Sequence, residues 1–232
     1  MRIVFFTGAG ISKESGLSTF RDADGLWEGS AVEKVCSARA WQESPDRVLA
    51  FYNERRHAVV NAAPNAAHRA IADLQSSSHH VTVVTQNIDD LHERAGSQNV
   101  LHLHGQIMKS RCGSDETLHD CPGDINLGDT GPNGGQLRPH VVFFGEAIYN
   151  YAAARSVCKR AELLIVVGTS LVVYPAVYLV QGSNARKIYL VDSVPPNMAK
   201  LGLEDRQIVK IKKSAVAGVP EAIRMIQSAT TA

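Results

Sequence analysis

Short, continuous apolar runs that each end in a polar or glycine residue constrain this chain most. They are Arg2–Phe6, Val81–Thr85, Val100–Leu103, Val141–Phe144, Leu163–Val167 and Lys187–Val191. Several are β-branched-rich and do not alternate with polar residues, which suits strands buried on both faces of a parallel sheet. Helical patterns lie between them, at Asn65–Leu74, Asp89–Ala95, Tyr151–Ala161 and Tyr174–Gln181, with Pro220–Gln227 last. Strands alternating with helices predict an α/β fold, a Rossmann-like doubly wound parallel sheet.

Two segments break the rhythm and predict a small second domain made of two insertions. Residues 23–64 read as loop plus helix, notably Pro45–Val60, and residues 110–137 are rich in Gly, Asp, Pro and Ser. The stretch Leu118–Gln136 reads equally as an irregular loop, because it holds few apolar residues. The large domain then comprises residues 1–22, 65–109 and 138–232. The 232 residues suffice for one sizeable core with a smaller module beside it.

A balance of 24 basic against 23 acidic residues advertises neither a nucleic-acid nor a membrane partner. No apolar run reaches the roughly 18 residues that span a bilayer. Met1 leads almost at once into the first strand, which leaves no room for a leader, so a cytoplasmic location is expected. The four cysteines, Cys36, Cys112, Cys121 and Cys158, form no CxxC pair; Cys36 and Cys158 read as small buried residues.

In an open α/β sheet, ligands bind beyond the carboxyl ends of the strands. Gln86, Asn87 and Asp89 follow one strand and His104 the next. Gly8-Ala9-Gly10 follows the first strand, where glycines let a backbone approach phosphate, although an ordinary tight turn reads the same way and Lys13 stands where the third fingerprint glycine belongs. Gly168-Thr169-Ser170 and Asp192 mark two further strand exits, each with its own reading as turn chemistry. An imidazole titrates near neutrality, which fits His104 to general-base work. His102 and His104 share a strand face that could suit a metal, but no carboxylate-rich ligand set accompanies them.

With these motifs in view the chain resembles the sirtuins, the NAD-dependent protein-lysine deacylases. The matching stretches are GAGIS (Gly8–Ser12), GLSTFRDADGLW (Gly16–Trp27), TQNIDDLHERAG (Thr85–Gly96), HLHG (His102–Gly105), LRPHVVFFGE (Leu137–Glu146) and GTS (Gly168–Ser170), in family order. The resemblance implies NAD in a cleft between the two domains. By position, Gly8, Ala9, Gly10 and Ser12 would hold its phosphates, with Phe20, Arg21 and Trp27 in the loop over the nicotinamide ribose. Gln86, Asn87, Ile88 and Asp89 would line the ribose and carboxamide pocket, and Gly168, Thr169, Ser170, Asp192 and Ala215 the adenosine half. His104 would be the base and Asn87 its catalytic neighbour, leading to nicotinamide and O-acyl-ADP-ribose. Val142 and Phe144 would flank the acyl-lysine of a protein substrate, and the chain would act as a monomer.

Within Phe51–Arg56, Tyr52 and Arg55 resemble the pair of sirtuins that accept acidic acyl groups. Three residues apart on a helix they share a face, and an arginine fork beside a phenol suits the carboxylate of succinyl- or malonyl-lysine. Without the family context the same pattern is an amphipathic helix with its arginines in water. Most sirtuins carry two CxxC pairs between HG and RPHVV; here Cys112 and Cys121 remain, with His119 between them. That set is short of a zinc ligand, so structural zinc is not expected, although a water or Asp120 could complete it. Phe143, Asp192 and Lys213 also depart from the usual Trp, Asn and Gly. Two rival readings stand: an NAD-binding sensor without catalysis, prompted by the shortened cysteine region, and a Rossmann oxidoreductase, disfavoured by Lys13.

Overall fold

The protein is described by a computed structural model covering residues 1–19, 26–27, 30–77, 79–112, 117–197, 201–203 and 207–230. In chain order its strands are β1 (Arg2–Thr7), β2 (Leu26–Trp27), β3 (Ser30–Ala31), β4 (His80–Thr85), β5 (Val100–His102), β6 (Gly105–Cys112), β7 (Leu118–Asp120), β8 (Leu137–Val141), β9 (Leu163–Val167), β10 (Lys187–Val191) and β11 (Gln207–Ile211). The helices are α1 (Val32–Val35), α2 (Ala38–Glu43), α3 (Pro45–Asn61), α4 (Ala66–Gln75), α5 (Leu91–Arg94), α6 (Tyr151–Lys159), α7 (Val177–Gln181) and α8 (Ala215–Thr230).

Among the described residues, six strands form one parallel sheet in the order β5-β4-β1-β9-β10-β11. This is the doubly wound order, and its direction of winding reverses between β1 and β9, where such sheets leave a crevice. Side chains alternate across a strand, so β1 feeds two cores. Val4 and Phe6 pack with α6 and α7, whereas Ile3 and Phe5 pack with α4 and α8. Each of these buried side chains stabilises the sheet by about 1.5–3 kcal/mol, which is why the strands read as unbroken apolar runs.

Three sequence expectations need correction. The run Val141–Phe144 is not a strand of the parallel sheet: only Val141 belongs to a strand, β8, which pairs antiparallel with β6. Pro139 lies inside β8 opposite Ser110, where a register shift in β6 absorbs its missing donor. The sixth parallel strand is instead β11, an edge strand whose polar, half-exposed residues hide it from a search for apolar runs. Helix α8 begins at Ala215, five residues before Pro220, so the proline sits inside the helix and does not start it.

The order β7-β6-β8 makes a three-stranded antiparallel sheet. Helices α1 to α3 pack on it through Val35, Val48, Phe51, Tyr52 and Val59 against Ile107, Val141 and Phe143. This smaller body stands beside the carboxyl ends of β1, β4 and β5 and supplies the opposite wall of the crevice. Among the described residues no helix is long and apolar enough to cross a membrane.

Candidate active site

The floor of the crevice is set by close approach of two loops. A Cβ on Gly10 would lie 2.6 Å from Gly168 Cα, and one on Gly168 would lie 2.5 Å from the Ile11 nitrogen. Gly168 also holds φ +60°, a left-handed conformation that L side chains rarely adopt. The Gly10 amide donates to the Gly168 carbonyl at 2.9 Å. The loops after β1 and β9 are therefore fastened to each other with no side chain between them. Asn65 anchors the first loop from outside: it caps α4 and its Nδ2 donates to the Ile11 carbonyl at 2.8 Å.

Behind the glycines a buried polar chain runs toward the reactive end. Ser12 Oγ donates to Asp89 Oδ2 at 3.0 Å and accepts from Asn87 Nδ2 at 3.1 Å. His68 Nδ1 accepts from the Asn65 amide, so its Nε2 carries the proton and faces Ser12 Oγ at 3.4 Å. Burial draws His68 down to about 4, with Arg69 adding to the effect, and takes His92 well below the ordinary histidine range. Both are neutral supports. Burial raises the Asp89 pKa, against the opposing bonds from the Leu91 amide and Ser12.

His104 lies past the end of β5. Its Nδ1 donates to the Gln86 carbonyl at 2.9 Å, which fixes the tautomer and leaves Nε2 as the basic nitrogen of a ring lining the crevice. Burial lowers its pKa, with the Gln86 bond opposing, so the imidazole stays neutral and able to take a proton at physiological pH. Gln86 Nε2 donates to Thr169 Oγ1 at 3.0 Å, tying the reactive strand end to the β9 exit.

One crevice of about 630 Å³ gathers these groups, within the volume range of small-molecule and cofactor sites. Gly8, Ala9, Gly10 and Ser12 line it, as do Gly168, Thr169, Ser170, Asp192 and Ala215. Gln86, Asn87, Ile88, Asp89 and His104 line it as well. Val142, Phe144, Tyr52 and Arg55 close it from the smaller body. Phe20 and Arg21 lie outside the described residues, as does the side chain of Trp27. Tyr52 is buried with its ring 5.7 Å from that of Phe143, and Arg55 stacks 4.6 Å over Phe51.

Sequence reasoning passed over Arg138 and Glu146. Arg138 forks onto Glu146 at 2.7 and 3.1 Å, and Glu146 Oε2 accepts from the Phe143 amide at 2.8 Å, fixing the turn that presents Phe144. Both residues sit inside LRPHVVFFGE, eight apart, with no periodicity to mark them as a pair. His102 and His104 do not converge on a metal, because each is committed to a different backbone carbonyl. Among the described residues no three His, Cys, Asp or Glu side chains could hold one.

The zinc of the resembling family fails the same test. The Cys121 amide donates to Met108 in the β6–β7 ladder, four residues from Cys112. At about 3.4 Å per residue the two positions are roughly 13 Å apart, whereas two thiolates on one zinc each lie about 2.3 Å from it. Asp120 pairs with Lys109, and the Cys121 thiol donates to the Gly123 carbonyl at 3.4 Å. In this arrangement Cys112 and Cys121 are too far apart to share one ion.

Comparison with known proteins agrees with the geometry. The Sir2 family model matches residues 8–175, more than half of the chain. This chain belongs to the Sir2 family. An NAD-dependent protein deacylase of Aggregatibacter actinomycetemcomitans is 48% identical over 194 residues, covering 83% of this chain and 93% of that protein. One from Helicobacter pylori is 46% identical over 215 residues, covering 92% of each. Among solved structures, a complex of a Sir2 homologue with NAD superposes with a TM-score of 0.84 at 34% identity, covering 98% of this chain and 90% of that one.

Proposed function

We propose that this sirtuin is an NAD-dependent protein-lysine deacylase that removes acetyl and acidic acyl groups, succinyl and malonyl among them. The observation that carries the reading is His104 Nε2, left basic by the Nδ1 bond to Gln86 and facing the same crevice as the glycine loops. The residues present fit a dinucleotide: side-chain-free backbone where a pyrophosphate would pass, hydroxyls at Ser12, Thr169 and Ser170, and a carboxylate at Asp192 for a ribose. Bound there, NAD would supply an electrophilic sugar carbon from which the acyl oxygen displaces nicotinamide; attack of a ribose hydroxyl on the acyl carbon, uptake of one water and loss of the lysine amine would then leave free lysine and O-acyl-ADP-ribose.

The chain's own groups then divide the work. His104 Nε2 takes the proton of the ribose hydroxyl, which makes that oxygen a nucleophile toward the acyl carbon. Asn87 and Asp89, linked through Ser12, orient the sugar and carboxamide. Val142 and Phe144 exclude water along the lysine stem. Tyr52 and Arg55 are one helical turn apart on α3 and face the far end of the acyl group, where a guanidinium and a phenol suit a carboxylate.

Nicotinamide release is expected only with NAD and acylated peptide together, and His104→Ala should abolish turnover to O-acyl-ADP-ribose while leaving NAD bound. Tight NAD binding with no release on acetyl, malonyl or succinyl peptide would replace the enzyme reading with that of a sensor.

A further inference from the structure

The segment after β4 turns two consecutive backbone carbonyls toward β5, and each meets its own imidazole. The Gln86 carbonyl accepts from His104 Nδ1 and the Asn87 carbonyl from His102 Nδ1, both at 2.9 Å. The peptide planes on either side of the Asn87 Cα are thereby fixed, and the Asn87 amide donates to Thr85 Oγ1 at 3.0 Å. The second nitrogens of the two rings have different fates. His104 Nε2 is the basic nitrogen of the crevice, but His102 Nε2 stands 2.8 Å from Glu93 Oε1. With an acceptor against each nitrogen, His102 donates twice, which requires the imidazolium.

We infer that His102, held as a cation by Glu93 of α5, is a positioning residue for the reaction: it sets the Asn87 backbone, and through it the side chain that reaches Ser12. The inference rests on the reading of Asn87 and His104 as reactive-site groups. His102 itself is 6% exposed and, unlike His104, does not line the crevice. Burial opposes its charge, yet the Glu93 bond and charge, the Asn87 bond and Asp89 together raise its pKa. The other titratable neighbours are His92 of α5 and His140 of β8, both pulled down by burial and so neutral beside it. With the pKa raised, the clamp is complete below the free histidine value of about 6.5 and is lost as pH rises through the folded value.

The test uses the full-length chain with Glu93→Gln, His102→Ala, His102→Gln and His104→Ala. Imidazole NMR of the ligand-free wild type should show His102 titrating above the free value of about 6.5 and, in Glu93→Gln, below it. The same variant should lose about tenfold or more in kcat, since a small misplacement of a reactive group costs that much. KM for NAD and for acyl peptide should stay within about twofold, and the alkaline limb of the kcat profile should move to lower pH. His102→Gln, which keeps one donor for the Asn87 carbonyl, should recover part of the activity that His102→Ala loses. A wild-type His102 titrating below the free value, or a Glu93→Gln enzyme with unchanged kcat and profile, overturns the inference. A lowered melting point with an unmoved pH profile also overturns it, because support of the fold alone would do that. A wild type inert on every acyl peptide, tested beside His104→Ala, overturns the enzyme reading and this role with it; an active wild type with an indifferent Glu93→Gln overturns this role alone.

Discussion

Removing the Asn53 side chain should destabilise the protein by about 3 kcal/mol. In α3, Asn53 Nδ2 donates to the Ile125 carbonyl and Oδ1 accepts from the Ile125 amide, both at 3.0 Å. The same Oδ1 accepts from Arg56 Nη1 at 2.7 Å, and Arg56 Nε donates to the Ile107 carbonyl at 3.0 Å. Arg56 is fully buried, so this clasp joins α3, β6 and the 121–125 turn, next to the two cysteines that cannot share a zinc. Asn53→Ala strips partners from the Ile125 amide, the Ile125 carbonyl and the Arg56 guanidinium at once. Each buried orphan costs about 1–3 kcal/mol, and because partial relaxation keeps the three from adding fully, a total of about 3 kcal/mol is expected. For a chain of this size each kcal/mol moves the melting point by roughly 2–4 °C, so the loss is about 6–12 °C. Calorimetry of wild type and variant, with and without a strong zinc chelator, reads this directly. A variant melting within about 2 °C of wild type, or a wild type that loses stability to the chelator, refutes the reasoning.

Gly168→Ala forces a Cβ to 2.5 Å from the Ile11 nitrogen at a left-handed φ, so ADP-ribose affinity measured by calorimetry should fall about tenfold or more, at an overpacking cost of about 1–3 kcal/mol. Arg55→Met should reduce kcat/KM for succinyl peptide much more than for acetyl peptide; equal losses would remove the acidic-acyl assignment. Because burial depresses His104, the acid limb of the deacylation profile should fall below the ordinary histidine value, and a limb above it would contradict the buried neutral base. His68 and His140 are drawn down to about 4, so the unfolded chain binds their protons first. The stability they contribute is whole above about pH 6.5 and is lost as pH falls toward 4, which melting curves across that range will show.

What could be read from the sequence follows from how each feature is encoded. β1, β4, β9 and β10 are buried on both faces, so they appear as unbroken apolar runs with glycine or polar exits. Those exits are the crevice, which is why the lining residues of the large body were legible. β11 was hidden because an edge strand keeps polar residues such as Lys210. β8 was misread because the apolar run Val141–Phe144 looks like a buried parallel strand, whereas the strand is Leu137–Val141, paired antiparallel with β6. The Asn53–Arg56 clasp was illegible for another reason. Its acceptors lie 51 and 72 residues away, and no local pattern distinguishes Arg56, fully buried, from an arginine in water. The charge state of His102 likewise depends on Glu93, a partner that strand periodicity cannot nominate.

The placement of β1 has a further consequence. It is the earliest strand of the chain, yet its two neighbours pair Thr7 with Thr85 on one edge and with Val167 on the other. During synthesis the segment RIVFFT therefore waits, first with both edges bare and then with one, until the residues through Val167 have left the ribosome. A newborn chain in that interval exposes a sticky ribbon to other nascent chains. Yield during expression should depend more on elongation speed and chaperone supply than on the durability of the finished enzyme.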